Sequence, residues 1–153
     1  MSIPHDFYQI SLKLLIKNKN NEVLLLKVGG ENNTSAYNGY YDFPGGRIDE
    51  SEFKTDLPKI IQREVEEEVG NEIKYQLLST APVGYGRHES FSRRLNKDFR
   101  CFYLLFESEV ISGDVKISDE HVDYVWMPYN EIKNNLEKLF VSGLLECAKM
   151  YFK

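Results

Sequence analysis

From Leu57 to Val69 the chain spaces its apolar residues, Leu57, Ile60, Ile61, Val65 and Val69, at three- and four-residue intervals, as one buried face of a helix requires. Asp56 stands where an N-cap belongs, Pro58 is tolerated in the first turn, and Gly70 closes the segment. Into that apolar stripe the sequence places Glu68, with Glu64 at its edge and Glu67 just beyond. The three share a face, and like charges at these spacings cost roughly 0.2–0.5 kcal/mol per pair. They also crowd the negative end of the helix dipole, where an anion is disfavoured by about 0.3–1 kcal/mol. A solvated acidic face accounts for Glu66, which projects away from the stripe. It does not account for Glu64 and Glu68, because an unpaired buried carboxylate is expensive. A bound divalent cation relieves both problems, since Mg2+ favours carboxylate oxygens and completes its shell with water and substrate phosphates.

The remaining pattern surrounds this helix with strands. Tyr8, Ile10, Leu12, Leu14 and Ile16 alternate with Gln9, Ser11, Lys13 and Lys17, the period of a half-buried strand. Asn18 to Asn21 reads as a turn into Val23–Leu26, completing a hairpin. Gly29 to Tyr41 has no periodicity and is read as a surface loop. Strand-like runs follow at 73–78, 99–106 and 122–127, and 84–98 is aperiodic. Leu136, Phe140, Leu144 and Ala148 give helical spacing at the C-terminal end, weakened by Gly143. Strands separated by both hairpins and helices imply a mixed sheet with helices packed over it, an α/β or α+β layered fold. No repeat, low-complexity tract or linker marks a second domain, so residues 1–153 are expected to form one.

Composition narrows the partners. A net charge of −5 argues against a generic DNA or anionic-membrane surface, which needs clustered Lys and Arg. A polyanionic small ligand would then need a local cation to approach. Cys101 and Cys147 have no metal-like spacing and read as free thiols in a reducing compartment. With no apolar run long enough for a span or signal peptide, the cytoplasm is the expected address.

Gly46, five spacers, Glu52, and then Arg63-Glu64-Val65-Glu66-Glu67-Glu68-Val69-Gly70 resembles the Nudix box, whose pattern is Gly, five spacers, Glu, seven spacers, Arg-Glu-apolar-any-Glu-Glu-any-Gly-apolar. Two departures stand out: ten residues separate Glu52 from Arg63, an insertion placed at 53–56, and Asn71 replaces an apolar residue. The insertion precedes the N-cap, so the helix register survives, and the orientation of Glu52 is what it puts at stake. A chance match at seven fixed positions has a probability on the order of 10⁻⁵ or below.

The resemblance implies a Nudix-type mixed sheet between helices and Mg2+-dependent hydrolysis, with Mn2+ as a substitute. The substrate implied is a nucleoside diphosphate linked to another group, or a nucleoside triphosphate. It implies Glu64, Glu67, Glu68 and the Gly45 carbonyl as metal ligands, with Glu52, Arg63 and Gly46 holding them in place. The general base is Glu64 or Glu67 in the box or a distal residue, for which Glu120 in Ser118-Asp119-Glu120-His121 is the candidate. Arg87 and His88, followed by Arg93 and Arg94, either contact phosphate or a second moiety or form a solvated loop. Tyr37, Tyr40 and Tyr41 either stack on a base, with Tyr41 the chosen candidate, or pack in the core; Trp126 reads as core. The expected partner is a small nucleotide, and the chain is compatible with a homodimer. The rival reading is a Nudix-like nucleotide-binding sensor or interaction module without turnover, which has no need of three mutually repelling carboxylates. An RNA-end pyrophosphohydrolase is disfavoured by the negative balance.

Overall fold

The structure is a computed structural model that describes residues 2–31, 33 and 35–153. Its strands are β1 (Gln9–Lys17), β2 (Glu22–Lys27), β3 (Tyr41–Asp42), β4 (Gly45–Arg47), β5 (Lys74–Leu77), β6 (Gly84–Ser92), β7 (Lys97–Ser112) and β8 (Asp123–Pro128). The helices are α1 (Leu57–Val69), α2 (Tyr129–Lys133), α3 (Leu136–Leu139) and α4 (Ser142–Tyr151). All eight strands join one mixed sheet along the path β3-β2-β1-β7-β5, with β4 paired to β1, β6 to β7 and β8 to β2. The β1–β7 pair is parallel and central, and the other pairs are antiparallel.

That central position corrects the reading of β1 as half-buried. Leu12, Leu14 and Ile16 face α1 in one core cluster, and Leu15 faces the C-terminal helices in the other. Ser11 and Lys13, expected on a wet face, are buried too. Helices cover the apolar residues of this central strand, while Ser11 and Lys13 lie at the bottom of a cleft, nearly shut off from solvent, where a polar side chain must find partners. The hairpin turn is as expected: the Asn18 side chain accepts the N–H groups of Asn20 and Glu22 at 3.0 Å each.

Two further expectations are revised. The stretch 84–98 is not a loop; its first part is β6, paired with β7 from Gly84↔Leu105 to Ser92↔Lys97. Its period was invisible because Gly84 and Gly86 occupy the buried positions; a Cβ on Gly86 would lie 2.0 Å from the Gly143 carbonyl oxygen of α4. The C-terminal helical spacing resolves into two short helices, α3 and α4, because Phe140 leaves α3 extended, at φ −123° and ψ 156°. It stacks on Phe43 with ring centroids 5.0 Å apart. Trp126 packs partly buried against the α1-side core. Among the described residues no helix is long and apolar enough to cross a membrane.

Candidate functional site

Helix α1 runs from Leu57 to Val69 as its spacing requires, burying Ile60, Ile61, Val65, Val69 and, among them, Glu68. Glu66 is exposed, bonded to Gln62 at 3.1 Å. The helix lays its glutamates along one wall of a cleft of about 1590 Å³, whose floor includes Lys13, Asp42 and Gly45.

Arg63 organises the mouth of this wall. Its Nε donates to Glu52 Oε2 at 2.9 Å and its NH2 to Glu52 Oε1 at 2.6 Å, a two-pronged grip. Its NH1 donates to Glu64 Oε1 at 2.8 Å and to Glu67 Oε1 at 3.2 Å. These bonds and charges hold the guanidinium above, and the Glu52 carboxyl below, their ordinary values. The inserted residues therefore leave Glu52 in place. They form a turn closed by the Thr55 N–H on the Glu52 carbonyl, with Phe53 turned out to solvent.

The two glycines act differently. Gly45 has φ +135°, and a Cβ there would meet the Leu12 carbonyl oxygen at 2.1 Å; backbone pairing to β1 requires the bare residue. A Cβ on Gly46 would lie 2.1 Å from Glu64 Oε2, so Gly46 leaves room for a carboxylate. Glu68 Oε1 accepts the Gly45 N–H at 3.0 Å. The Gly45 carbonyl, implied as a metal ligand, takes a hydrogen bond from Lys13 Nζ at 3.3 Å, while Lys13 pairs with Asp42 at 2.9 Å.

Burial raises Glu64, and it pushes Glu68 up to about 8 against the opposing charge of Lys13. Burial alone would lower Lys13, yet Asp42 and Glu68 raise it. Among the described residues, Glu68 Oε2, His121 Nδ1 and Asp42 Oδ1 are buried without a hydrogen-bond partner. A carboxylate wall with an orphaned buried oxygen suits a hard cation, so the residues present fit the metal the motif implies. Glu64, Glu67 and Glu68 would hold it.

Glu120 arrives from the loop before β8. Ser118 N–H donates to the Glu68 carbonyl and Lys116 N–H to that of Val69, both at 2.9 Å. These bonds use carbonyls that the end of α1 leaves free, and they set Glu120 and His121 beside Glu68. His121, lowered by burial, is the residue the sequence reading passed over; its adjacency to Glu120 was the available signal.

At the far end of the cleft lie Tyr37, His88 and Tyr103. The Tyr37 and Tyr103 hydroxyls are 3.0 Å apart, the Tyr37 and His88 rings 4.9 Å apart, and His88 Nδ1 meets Ser142 Oγ at 2.9 Å. Burial lowers His88, and Arg93 and Arg94 line the cleft from the β6–β7 turn. Arg87 does not line it: strand alternation sets Arg87 on the other face from His88, with its N–H on Glu146 Oε1 at 3.2 Å. Tyr41 is also outside the lining, packed against the core with Lys27 Nζ 4.6 Å from its ring centre. Tyr37 occupies the place expected for Tyr41.

A family model described as the NUDIX domain matches residues 8–144. Among solved structures, a MutT protein from Methanosarcina mazei Go1 aligns with TM-score 0.66 and 27% identity, covering 94% of this chain and 90% of its own. A protein described as a possible asymmetric diadenosine tetraphosphate hydrolase from Jonesia denitrificans aligns at TM-score 0.65 and 13% identity, over 94% of this chain and 89% of that one. The NUDIX domain of Shewanella oneidensis NrtR, solved with ADP ribose, aligns at TM-score 0.60 and 13% identity, over 96% and 86%. The last two likenesses bear on the fold alone.

Proposed function

This chain belongs to the Nudix family and is a pyrophosphohydrolase of that family; we propose that its substrate is a nucleoside diphosphate linked to a further moiety, or a nucleoside triphosphate, hydrolysed with Mg2+ or, in its place, Mn2+. The observation that carries this reading is the cleft wall itself: Glu64 and Glu67, aligned by Arg63 on Glu52, stand beside a nearly dry Glu68 held by the Gly45 N–H.

When bound, the metal neutralises phosphate oxygens and lowers the pKa of the attacking water. Glu64, Glu67 and Glu68 would hold it; the Arg63 grip orients Glu64 and Glu67, and the Gly45 N–H orients Glu68. Water oxygen bonds to one phosphorus as the bridging P–O bond breaks, and the leaving phosphate departs with the electron pair. The water proton passes to a cleft carboxylate. Glu64, Glu67 and Glu120 all face the cleft and are the acceptors within reach of that proton. Tyr37 and His88 receive the nucleoside or second moiety, and Arg93 and Arg94 contact its phosphates. The rival, a nucleotide sensor without turnover, leaves the repelling carboxylates without a purpose.

The test is a screen of nucleoside di- and triphosphate derivatives for phosphate or nucleotide release, with and without Mg2+, on wild type, Glu67→Gln and Glu68→Gln. Metal-dependent release that falls at least about 100-fold in both variants is expected. Turnover equal in all three removes the assigned roles, and nucleotide binding without release favours the sensor.

A further inference from the structure

Where the loop before β8 meets the last turn of α1, one ligand-type atom each from Glu68, Glu120 and His121 lie within 4.8 Å of one another. Two of the three side chains are deeply buried, Glu68 at 4% and His121 at 7% exposure. Glu68 Oε2 and His121 Nδ1 nonetheless lack hydrogen-bond partners and face each other at 3.5 Å. Such a separation is beyond a good hydrogen bond, and native interiors rarely leave buried polar atoms unpaired without a reason. Glu68 Oε1 is already committed to the Gly45 N–H, so Oε2 is the oxygen left to serve another partner. The loop is tied on both flanks, by Lys116 and Ser118 to α1 and by the Val122 N–H to the Lys27 carbonyl at 3.1 Å.

We propose that Glu68, Glu120 and His121 form a mixed nitrogen–oxygen metal position, and that it prefers Co2+ to Mg2+. Mg2+ takes oxygen ligands in strict octahedral geometry, whereas imidazole suits the later transition ions. The all-carboxylate wall of Glu64 and Glu67 carries no such preference. The inference rests on reading this end of the cleft as cation-bearing, and not on the reaction proposed there.

The test titrates each metal alone into the wild-type chain by calorimetry, without nucleotide, so its outcome is independent of pyrophosphate hydrolysis. Co2+ is expected to bind about tenfold more tightly than Mg2+. Proton NMR of the Co2+ form should show a hyperfine-shifted, solvent-exchangeable imidazole N–H. With only three histidines in the chain, that signal should vanish in His121→Asn and persist in His5→Ala. Glu120→Gln, at an exposed position, should weaken Co2+ binding without disturbing the fold. Equal affinity for the two ions in wild type overturns the proposal. So does a His121→Asn protein, folded by circular dichroism, that keeps both the preference and the signal, or a Glu120→Gln protein with unchanged Co2+ affinity.

Discussion

The two ends of the cleft are built in opposite ways. At the carboxylate end, one guanidinium grips Glu52, Glu64 and Glu67 through charge-assisted bonds, and most of the participants lie between Gly45 and Glu68. At the other end, Tyr37, His88, Tyr103 and Ser142 come from four separate elements and meet through neutral contacts. Charge fixes geometry at the first end, whereas shape and packing fix it at the second. The first therefore suits a chemistry that must be the same for every substrate, and the second suits discrimination among substrates, where loops rather than motifs decide.

The hardest blow to this contrast would fall on Arg63. Arg63→Lys keeps a positive charge but loses the fork that spans Glu52. Expected is a drop in kcat of about 10–100-fold with KM little changed, the scale seen when a group orienting metal ligands is lost. Steady-state kinetics at saturating Mg2+ would show it, and an unchanged kcat would mean that the carboxylates orient themselves.

The paired glycines sharpen the same point at lower amplitude. In Gly46→Ala the new methyl meets the far end of the Glu64 side chain, so activity should fall about tenfold while the melting temperature barely moves. In Gly45→Ala it meets the Leu12 backbone at a positive φ, and stability should fall by about 1–3 kcal/mol. Denaturant melts beside kinetics separate the two; identical profiles would erase the distinction between a site glycine and a fold glycine.

How far the sequence revealed each end follows from the same difference. Helix α1 was legible to the residue, because its periodicity, cap and closing Gly70 are local signals. The Arg63–Glu52 grip was legible from the motif despite the inserted turn. Lys13 was not: its alternation matched a wet face, and only the folded cleft buries it beside Asp42 from β3. Strand β6 hid because glycines replaced its core residues, and with it went the placement of His88 and Arg87. That Tyr37 rather than Tyr41 lines the cleft was hidden for a similar reason, since only tertiary structure carries Tyr41 onto β3 and leaves Tyr37 facing the cleft. His121 looked like an ordinary loop histidine until the end of α1 was seen to draw its loop inward.

At the aromatic end, smaller and differently distributed effects are expected. Tyr37→Phe removes one hydroxyl from the Tyr37–Tyr103 pair, a net loss of about 1 kcal/mol that should lower the melting temperature, with KM raised and kcat retained. His88→Asn should reorder substrate preference across the same panel of nucleotides. A fall in kcat that is equal for all substrates would instead place these residues in the chemistry and dissolve the division between the two ends.

The smallest expected effect is a slope of stability with pH in the metal-free protein. Glu68 binds its proton up to about 8 in the fold but only up to 4.5 as an ordinary carboxylate, so the stability it contributes below 4.5 is lost as pH rises through 8. His121, lowered from 6.5 by burial, works the other way, but its contribution is complete once pH passes 6.5. Lys13, raised above 10.5, contributes a constant amount throughout. Between pH 6.5 and 8 the slope should therefore follow Glu68. With chelator present, the melting temperature should decline by a few degrees, on a scale of about 2–4 °C per kcal/mol for a chain of this size. Glu68→Gln should flatten that decline, and added divalent metal should abolish it by favouring the charged carboxylate. A wild-type melting temperature that holds or climbs over this interval would mean that Lys13 already keeps Glu68 ionised, and that the dry carboxylate needs no cation from outside.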